Sequence, residues 1–197
     1  VLINRTLVIF DVNTNNTLNS FLKPGIHFLD VGSGSGSSCI KAIQEGAARS
    51  IGIEYNPENI ALTHSRAKQL GLEITILQLD LENTNYPFED NSFDLVNFSD
   101  VLEHLDNRVA CLQELKRIKK NKAPIIISIP NSNTPWKKRL RQAGIDSRDD
   151  SDHKIEYSRE SIMEEIEASG MRIDSKLDPI IPSFPWNGLI SFSAVLS

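Results

Sequence analysis

Two imidazoles and a handful of carboxylates stand at positions where this chain could use them. His104 directly follows an apolar run over 94–99, and His153 follows a polar stretch and precedes a helical pattern. Either could take a proton near neutrality, because histidine titrates near pH 6.5. His27 lies inside an apolar run and His64 in mid-helix, and both read as structural. The run Asp100-x-x-Glu103-His104 adds two acids beside the first imidazole. On one helical face, Asp100 and Glu103 could join His104 and His153 around a divalent cation. A second chemistry is written at Asp30-Val31-Gly32-Ser33-Gly34-Ser35-Gly36, an acid two residues ahead of alternating glycines. Glycines let a backbone turn tightly and approach a ligand with no Cβ in the way. A helical pattern begins at Ser37, and the start of a helix offers free N–H groups to an anionic group.

These groups need a scaffold, and the pattern supplies one. Residues 26–31 form an apolar run broken by one His and closed by Asp30, as suits a strand buried on both faces. A helix is predicted over 37–46, a strand over 50–55 ending in Glu54-Tyr55, and a helix over 57–70 entered through Asn56-Pro57. Residues 72–79 alternate and lead into Asp80-Leu81, predicting a third strand. A fourth follows over 94–99, with Asn97 and Ser99 at its ligand-side end, then a helix over 109–120 and a fifth strand over 124–130. Ser158 caps a helix to Ser169, and 171–177 reads as a sixth strand. The tail, with Pro179, Pro182 and Pro185, reads either as a seventh, antiparallel strand over 188–196 or as a helix before a strand the chain lacks. Such alternation predicts an α/β fold: a doubly wound, Rossmann-like, mostly parallel seven-stranded sheet in a three-layer sandwich, its seventh strand incomplete on the second reading. Residues 1–197 form one domain, with 132–152 either a substrate-covering insertion or a solvated loop of paired charges. Asn13-Thr14-Asn15-Asn16-Thr17 reads as loop, which leaves a short or missing lid before the first strand.

The glycine register separates two ligands. A dinucleotide fingerprint needs Gly-x-Gly-x-x-Gly, and the sixth position counted from Gly32 is Ser37. An acid at the end of the second strand, about twenty residues beyond the loop, is placed to accept hydrogen bonds from ribose hydroxyls, which assigns Glu54. The acid-plus-glycine loop resembles the first motif of the class I S-adenosylmethionine (SAM) dependent methyltransferases. Residues 86–96, Tyr86-Pro87-Phe88-Glu89-Asp90-Asn91-Ser92-Phe93-Asp94-Leu95-Val96, closely resemble that family's Pro-Phe…Phe-Asp-x-Val segment. The resemblance spans about residues 22–170, is closest to small-molecule members of the type 11 and type 12 kind, and implies site roles. The loop of Gly32, Ser33, Gly34 and Gly36 would wrap the methionine end of the cofactor, with Asp30 holding its amino group. Tyr55 would pack on ribose or adenine, Asp80 would bond the adenine amino group, and Leu81 would pack on the ring. Asp100-x-x-Glu103-His104 with a later His is similar to a cation-binding set of RNA 3′-end 2′-O-methyltransferases and, in part, of ubiquinone-pathway O-methyltransferases, with Asp100 where that set has Glu. Many small-molecule methyltransferases carry a similar Asp-x-Leu-Glu-His with no metal, and no metal is assigned from the sequence.

Composition narrows the partners. With 40% hydrophobic and 24% charged residues the chain is of a soluble globular kind, and its net charge of −5 argues against general nucleic-acid binding. No run approaches the length of a membrane span. Two cysteines, both in helical patterns, suggest no disulfide framework and point to a reducing, cytoplasmic setting. The sequence therefore predicts an enzyme that moves a methyl group from SAM to a small-molecule, lipid-precursor or sugar acceptor, at oxygen, with His104 and His153 as the candidate bases. Its rivals are an RNA 3′-end methyltransferase, a non-catalytic SAM-binding scaffold and, third, a nicotinamide dehydrogenase.

Overall fold

Short runs of β-branched and aliphatic residues, punctuated by glycine turns, build a sheet with a helix in most of its crossovers. The computed structural model describes residues 7–8, 14–148 and 150–171. In chain order they form β1 (Leu7–Val8), α1 (Thr14–Phe21), β2 (His27–Val31), α2 (Ser37–Gln44), β3 (Arg49–Glu54), α3 (Pro57–Gln69), β4 (Thr75–Gln78) and β5 (Leu95–Ser99). A 3₁₀ turn (Leu102–His104), α4 (Arg108–Ile118), β6 (Ile125–Ser128), α5 (Pro135–Gln142) and α6 (Arg159–Ala168) complete them. The strand order is β1-β6-β5-β2-β3-β4, every pairing is parallel, and β1 is a two-residue contact at one edge. From β2 the chain lays strands first to one side (β3, β4) and later to the other (β5, β6). That reversal leaves a crevice at the carboxyl ends of β2 and β5, where ligands of open parallel sheets sit.

Alternation divides the apolar side chains between the two faces. Leu29, Val96, Ile125 and Ile127 join α4 and α6 in one core, through Leu112, Leu115, Ile162 and Ile166. Phe28, Leu95 and Ile126 join α1 and α2 in the other, through Leu18, Cys39 and Ala42. Both cysteines are buried and free, as the sequence suggested.

Several boundaries move. The third strand is only Thr75–Gln78. Asp94 precedes the fourth strand, where its carboxylate takes the His27 N–H and the Lys120 ammonium. The loop expected over 13–17 is corrected outright: α1 begins at Thr14. Leu18 and Leu22 are buried, with Phe21 beside them against the core of Phe28, Leu95 and Ile126. Burial of that stripe outweighs the weak helix propensity of Asn and Thr. Caps behave as read: the Asn56 side chain accepts the Glu58 N–H, and Ser158 forms a reciprocal box with Ser161. The sixth strand read at 171–177, Met171 aside, and the alternatives for 188–196 lie outside the described residues.

Candidate active site

β2 delivers the chain into the glycine loop with Gly32, Gly34 and Gly36 all in the left-handed region, at φ +72°, +50° and +73°. The outer two are packing positions. A Cβ on Gly32 would lie 2.3 Å from Val101 Cγ2, and one on Gly36 would lie 2.2 Å from Thr63 Cγ2. A Cβ on Gly34 would meet nothing within 4 Å among the described residues, so among them the middle glycine faces open space. Helix α3 clamps the loop from behind. Thr63 Oγ1 donates to the Gly34 carbonyl at 3.2 Å, and Arg66 Nη1 donates to the Ser35 carbonyl at 2.6 Å and to the Ser35 and Ser37 hydroxyls. Thr63 and Arg66 were not singled out in the sequence. Their signal was the i,i+3 spacing that puts them on one face of a helix next to the loop. Among the described residues the buried Ser33 Oγ has no hydrogen-bond partner, an expense a protein seldom carries without a ligand to answer it.

Three acids end three successive strands around this loop. Glu54 closes β3, and its two oxygens accept the Gly34 and Asn56 N–H groups, each at 2.7 Å. Asp30 lies beneath the loop at 3% exposure, taking Asn97 Nδ2 at 2.7 Å and facing the Cys39 thiol. Burial pushes the Asp30 carboxyl up to about 6, against the lowering hydrogen bonds of Asn97, Cys39 and Ser38, and the nearby Glu54 charge adds to the rise. Ser99 Oγ donates in turn to Asn97 Oδ1, so both residues read from the end of β5 belong to one network with Asp30. Asp80, exposed beyond β4, accepts the Glu82 N–H. Tyr55 is 70% exposed, its carbonyl taking the Gln78 side chain, and Leu81 is buried beside Tyr86 in the core.

The second half of the site is assembled from segments 49 residues apart. Lys154 and Ile155 donate their N–H groups to the Glu103 carbonyl, at 2.8 and 3.4 Å. A parallel bridge between Asn131 and Tyr157 fastens the same segment to the chain leaving β6. Together these bring His104 and His153 edge to face, with ring centroids 4.7 Å apart. His104 is half-buried, with Nδ1 3.4 Å from the exposed Asp152 carboxylate. His153 is buried, and its Nδ1 pairs with Glu156 Oε1 at 2.9 Å. The other oxygen of Glu156 takes Lys137 Nζ at 2.5 Å. Burial raises the Glu156 carboxyl, but the hydrogen bonds to His153 and Lys137 and their charges hold it below the usual carboxylate range. Glu156 and Lys137 were not singled out in the sequence. Asp100 does not share a helical face with Glu103. It sits at φ +54°, its N–H on the Ser128 carbonyl and its carboxylate on Ser128 Oγ, so it precedes the 3₁₀ turn instead of lying in it.

The arrangement presents an electrostatically varied crevice: hydrogen-bonding backbone and carboxylates on the β2–β4 side, an imidazole pair on the β5 side. Val101, packed on Gly32, ties the two halves together. Among the described residues no helix is long and apolar enough to cross a membrane. A family model described as a methyltransferase domain matches residues 22–173. The norajmaline N-methyltransferase of Rauvolfia serpentina is 30% identical over 101 residues, 51% of this chain and 35% of that protein. The ribosomal protein L11 methyltransferase of Thermosipho africanus (strain TCF52B) is 29% identical over 119 residues, 60% of this chain and 43% of that protein. The matches thus span less than half the length of these relatives. Among solved structures, a SAM dependent methyltransferase from Aquifex aeolicus aligns with a TM-score of 0.69 at 20% identity, covering 94% of this chain and 90% of that one. The magnesium protoporphyrin IX methyltransferase of Synechocystis PCC 6803, solved with bound SAH, aligns at 0.69 and 18% identity over 93% and 82%. These two likenesses are of fold. The family match extends over most of the chain, and the chain belongs to the methyltransferase-domain family.

Proposed function

We propose that this methyltransferase-family domain moves a methyl group from SAM to a hydroxyl of a small-molecule, lipid-precursor or sugar acceptor. One observation carries the reading: a loop whose middle glycine meets none of the described residues, ringed by Asp30, Glu54 and Asp80 at successive strand ends, lies beside an imidazole pair. The Ser33 hydroxyl, buried with no partner among the described residues, and the space these leave over Gly34 fit a bound cofactor. SAM supplies an electrophilic methyl group on sulfur, and the chain positions the reactants, excludes water and handles a proton. Asp30, with Asn97 and Ser99 behind it, faces the cofactor's ammonium. Gly32, Ser33, Gly34 and Gly36 wrap its methionine end, Glu54 takes ribose hydroxyls, and Tyr55, Asp80 and Leu81 hold the adenine. His104 and His153 manage the acceptor's proton.

An amine acceptor is the second reading, favoured by the likeness to norajmaline N-methyltransferase. A neutral amine attacks through its own lone pair and sheds its proton only after methylation, whereas a hydroxyl is a poor nucleophile until a base takes its proton, so the imidazole pair supports oxygen. The chain's net charge of −5 disfavours nucleic acid as a general partner, and two buried free thiols suit a reducing, cytoplasmic setting. Calorimetry with SAM and NAD, followed by label transfer from SAM across matched hydroxyl and amine acceptors, tests the proposal. SAM binding with transfer to hydroxyls is expected. Binding of NAD in preference to SAM would overturn the cofactor, and transfer to amines alone would overturn the acceptor atom.

A further inference from the structure

We propose that Glu103, His104 and His153 bind one divalent ion of the borderline transition series (Zn²⁺, Mn²⁺ or Co²⁺), with Glu156 and Lys137 as its outer shell. Each of the three residues offers a ligand atom, and these atoms all lie within 4.8 Å of one another. An ion held about 2.1 Å from each donor in tetrahedral geometry needs donors roughly 3.4 Å apart, so the set closes by about 1.4 Å or less through side-chain rotation. Two segments far apart in sequence are held in that proximity by the bonds from Lys154 and Ile155 to the Glu103 carbonyl. The cluster is largely out of water: Glu103 is 1% exposed and His153 7%.

The outer shell is the second, independent observation. His153 Nδ1 is already taken by Glu156, which leaves Nε2 for an ion, and such a carboxylate fixes the tautomer and strengthens the imidazole as a ligand. Glu156 is in turn neutralised by Lys137, which is 0% exposed on a helix whose Lys138, Arg139 and Arg141 face solvent. A lysine sent inward from an otherwise solvated helix is costly unless its partner has a task. With its charge answered, Glu156 acts as acceptor for His153 and leaves the ligand set at two nitrogens and one carboxylate. Asp100, bonded to Ser128, adds no oxygen to it. The donor set therefore departs from the four-residue one implied by the sequence resemblance. Two imidazoles favour a borderline transition ion over Mg²⁺ or Ca²⁺, which prefer oxygen. Use of the ion on the acceptor rests on the methyl-transfer reading above; binding of the ion does not.

The test uses the full chain, stripped with EDTA and desalted. CoCl₂ is added while the visible absorption is followed, with ZnCl₂ and MgCl₂ as competitors. One equivalent of Co²⁺ should give a ligand-field band that Zn²⁺ abolishes and millimolar Mg²⁺ leaves intact. His104→Ala, at a half-buried position and with its folding checked by circular dichroism, should lose the band. Glu156→Gln should weaken Co²⁺ binding by about 10- to 100-fold, with partial recovery in Glu156→Asp. Absence of the band in the wild type, displacement by Mg²⁺, or a band unchanged in His104→Ala and His153→Ala would each overturn the site. Label transfer from SAM is measured on the same samples. Methyl transfer by stripped protein that takes up no Co²⁺ overturns the site and leaves the methyl-transfer reading standing. Specific Co²⁺ binding without transfer to any acceptor supports the site and counts against that reading.

Discussion

Asp30→Asn should make the ligand-free domain more stable at neutral pH while weakening its hold on SAM. The Asp30 carboxyl, 3% exposed, has its pKa raised from 3.8 to about 6, chiefly by burial. In the unfolded chain the same group loses its proton near pH 4. Between about pH 4 and 6 the folded state thus binds more protons, and its stability falls as pH rises through that window. The contribution is fully present below pH 4 and absent above pH 6. Roughly two pK units at 1.36 kcal/mol each put the cost of carrying a charged Asp30 at neutrality near 3 kcal/mol. Asparagine cannot ionise, so it removes this cost and can still accept the Asn97 amide that now reaches Asp30 Oδ1. Its own NH₂ would face the Cys39 sulfur, a weak acceptor, and losing one good hydrogen bond costs about 1 kcal/mol. A net gain of about 1–2 kcal/mol at pH 7.5 follows, or roughly 2–8 °C in Tm for a domain of this size. SAM affinity should fall, because the cofactor's ammonium loses its counter-carboxylate. The assay is urea unfolding of both proteins at pH 4.5, 5.5 and 7.5, with SAM calorimetry at pH 7.5. The difference between the two stability curves isolates Asp30 from other titrating groups. A mutant less stable than wild type at pH 7.5, or a difference that does not change between pH 4.5 and 7.5, would refute the reasoning.

Three further outcomes are expected. Gly34→Val should stay folded, losing about 1–2 kcal/mol to strain at φ +50°, yet abolish SAM binding; Gly36→Ala, whose Cβ would meet Thr63 Cγ2 at 2.2 Å, should lower Tm more than Gly34→Ala. Glu54→Ala should weaken SAM by about 1–3 kcal/mol in calorimetry, since ribose loses a charged acceptor and the Gly34 N–H loses its partner. Unchanged affinity there would place the ribose elsewhere. Arg66→Ala removes three donations to Ser35 and Ser37 and should cost SAM binding about 1 kcal/mol with little change in unfolding midpoint; a large fall in the midpoint would make Arg66 a folding residue instead.

What could be read from the sequence was what local pattern encodes. The strands β2, β3, β5 and β6 are apolar runs closed by polar residues, and the acids at their ends fall at fixed offsets from them. The glycine loop was legible for the same reason, since alternate glycines between a strand and a helix have few other uses. Helix α1 was not, because Thr14-Asn15-Asn16-Thr17 carries no helical signal of its own. Its stability comes from Leu18 and Leu22 buried against Phe28, Leu95 and Ile126, residues that lie up to about a hundred positions away. Asp100 failed for a different reason. Reading it on a helical face assumed the helix began there, but its N–H continues the β5–β6 pairing to the Ser128 carbonyl. The chain then turns through a left-handed residue, a conformation that nothing in the run Asp100-Val101-Leu102-Glu103 advertises.

The stretch over 132–152 shows why the rest of the site was hidden. Its charges suggested either a covering insertion or a solvated loop, and side-chain type could not choose between them. Within it the Asp146–Arg148 pair is exposed, and such a pair adds little to stability. Earlier in the segment, α5 turns Lys137 inward to Glu156 while its flanking basic residues stay in water. That choice is made by tertiary geometry. The bridge between Asn131 and Tyr157, and the bond from the Ser132 N–H to the Tyr157 carbonyl, lay the segment carrying His153 and Glu156 beside the start of α5. Once the backbone is fixed there, the Lys137 ammonium on α5 reaches the half-buried Glu156 at 2.5 Å. A lysine within a basic run thus becomes the buried partner of Glu156, which in turn holds His153, and mutations in α5 should be read first at His153.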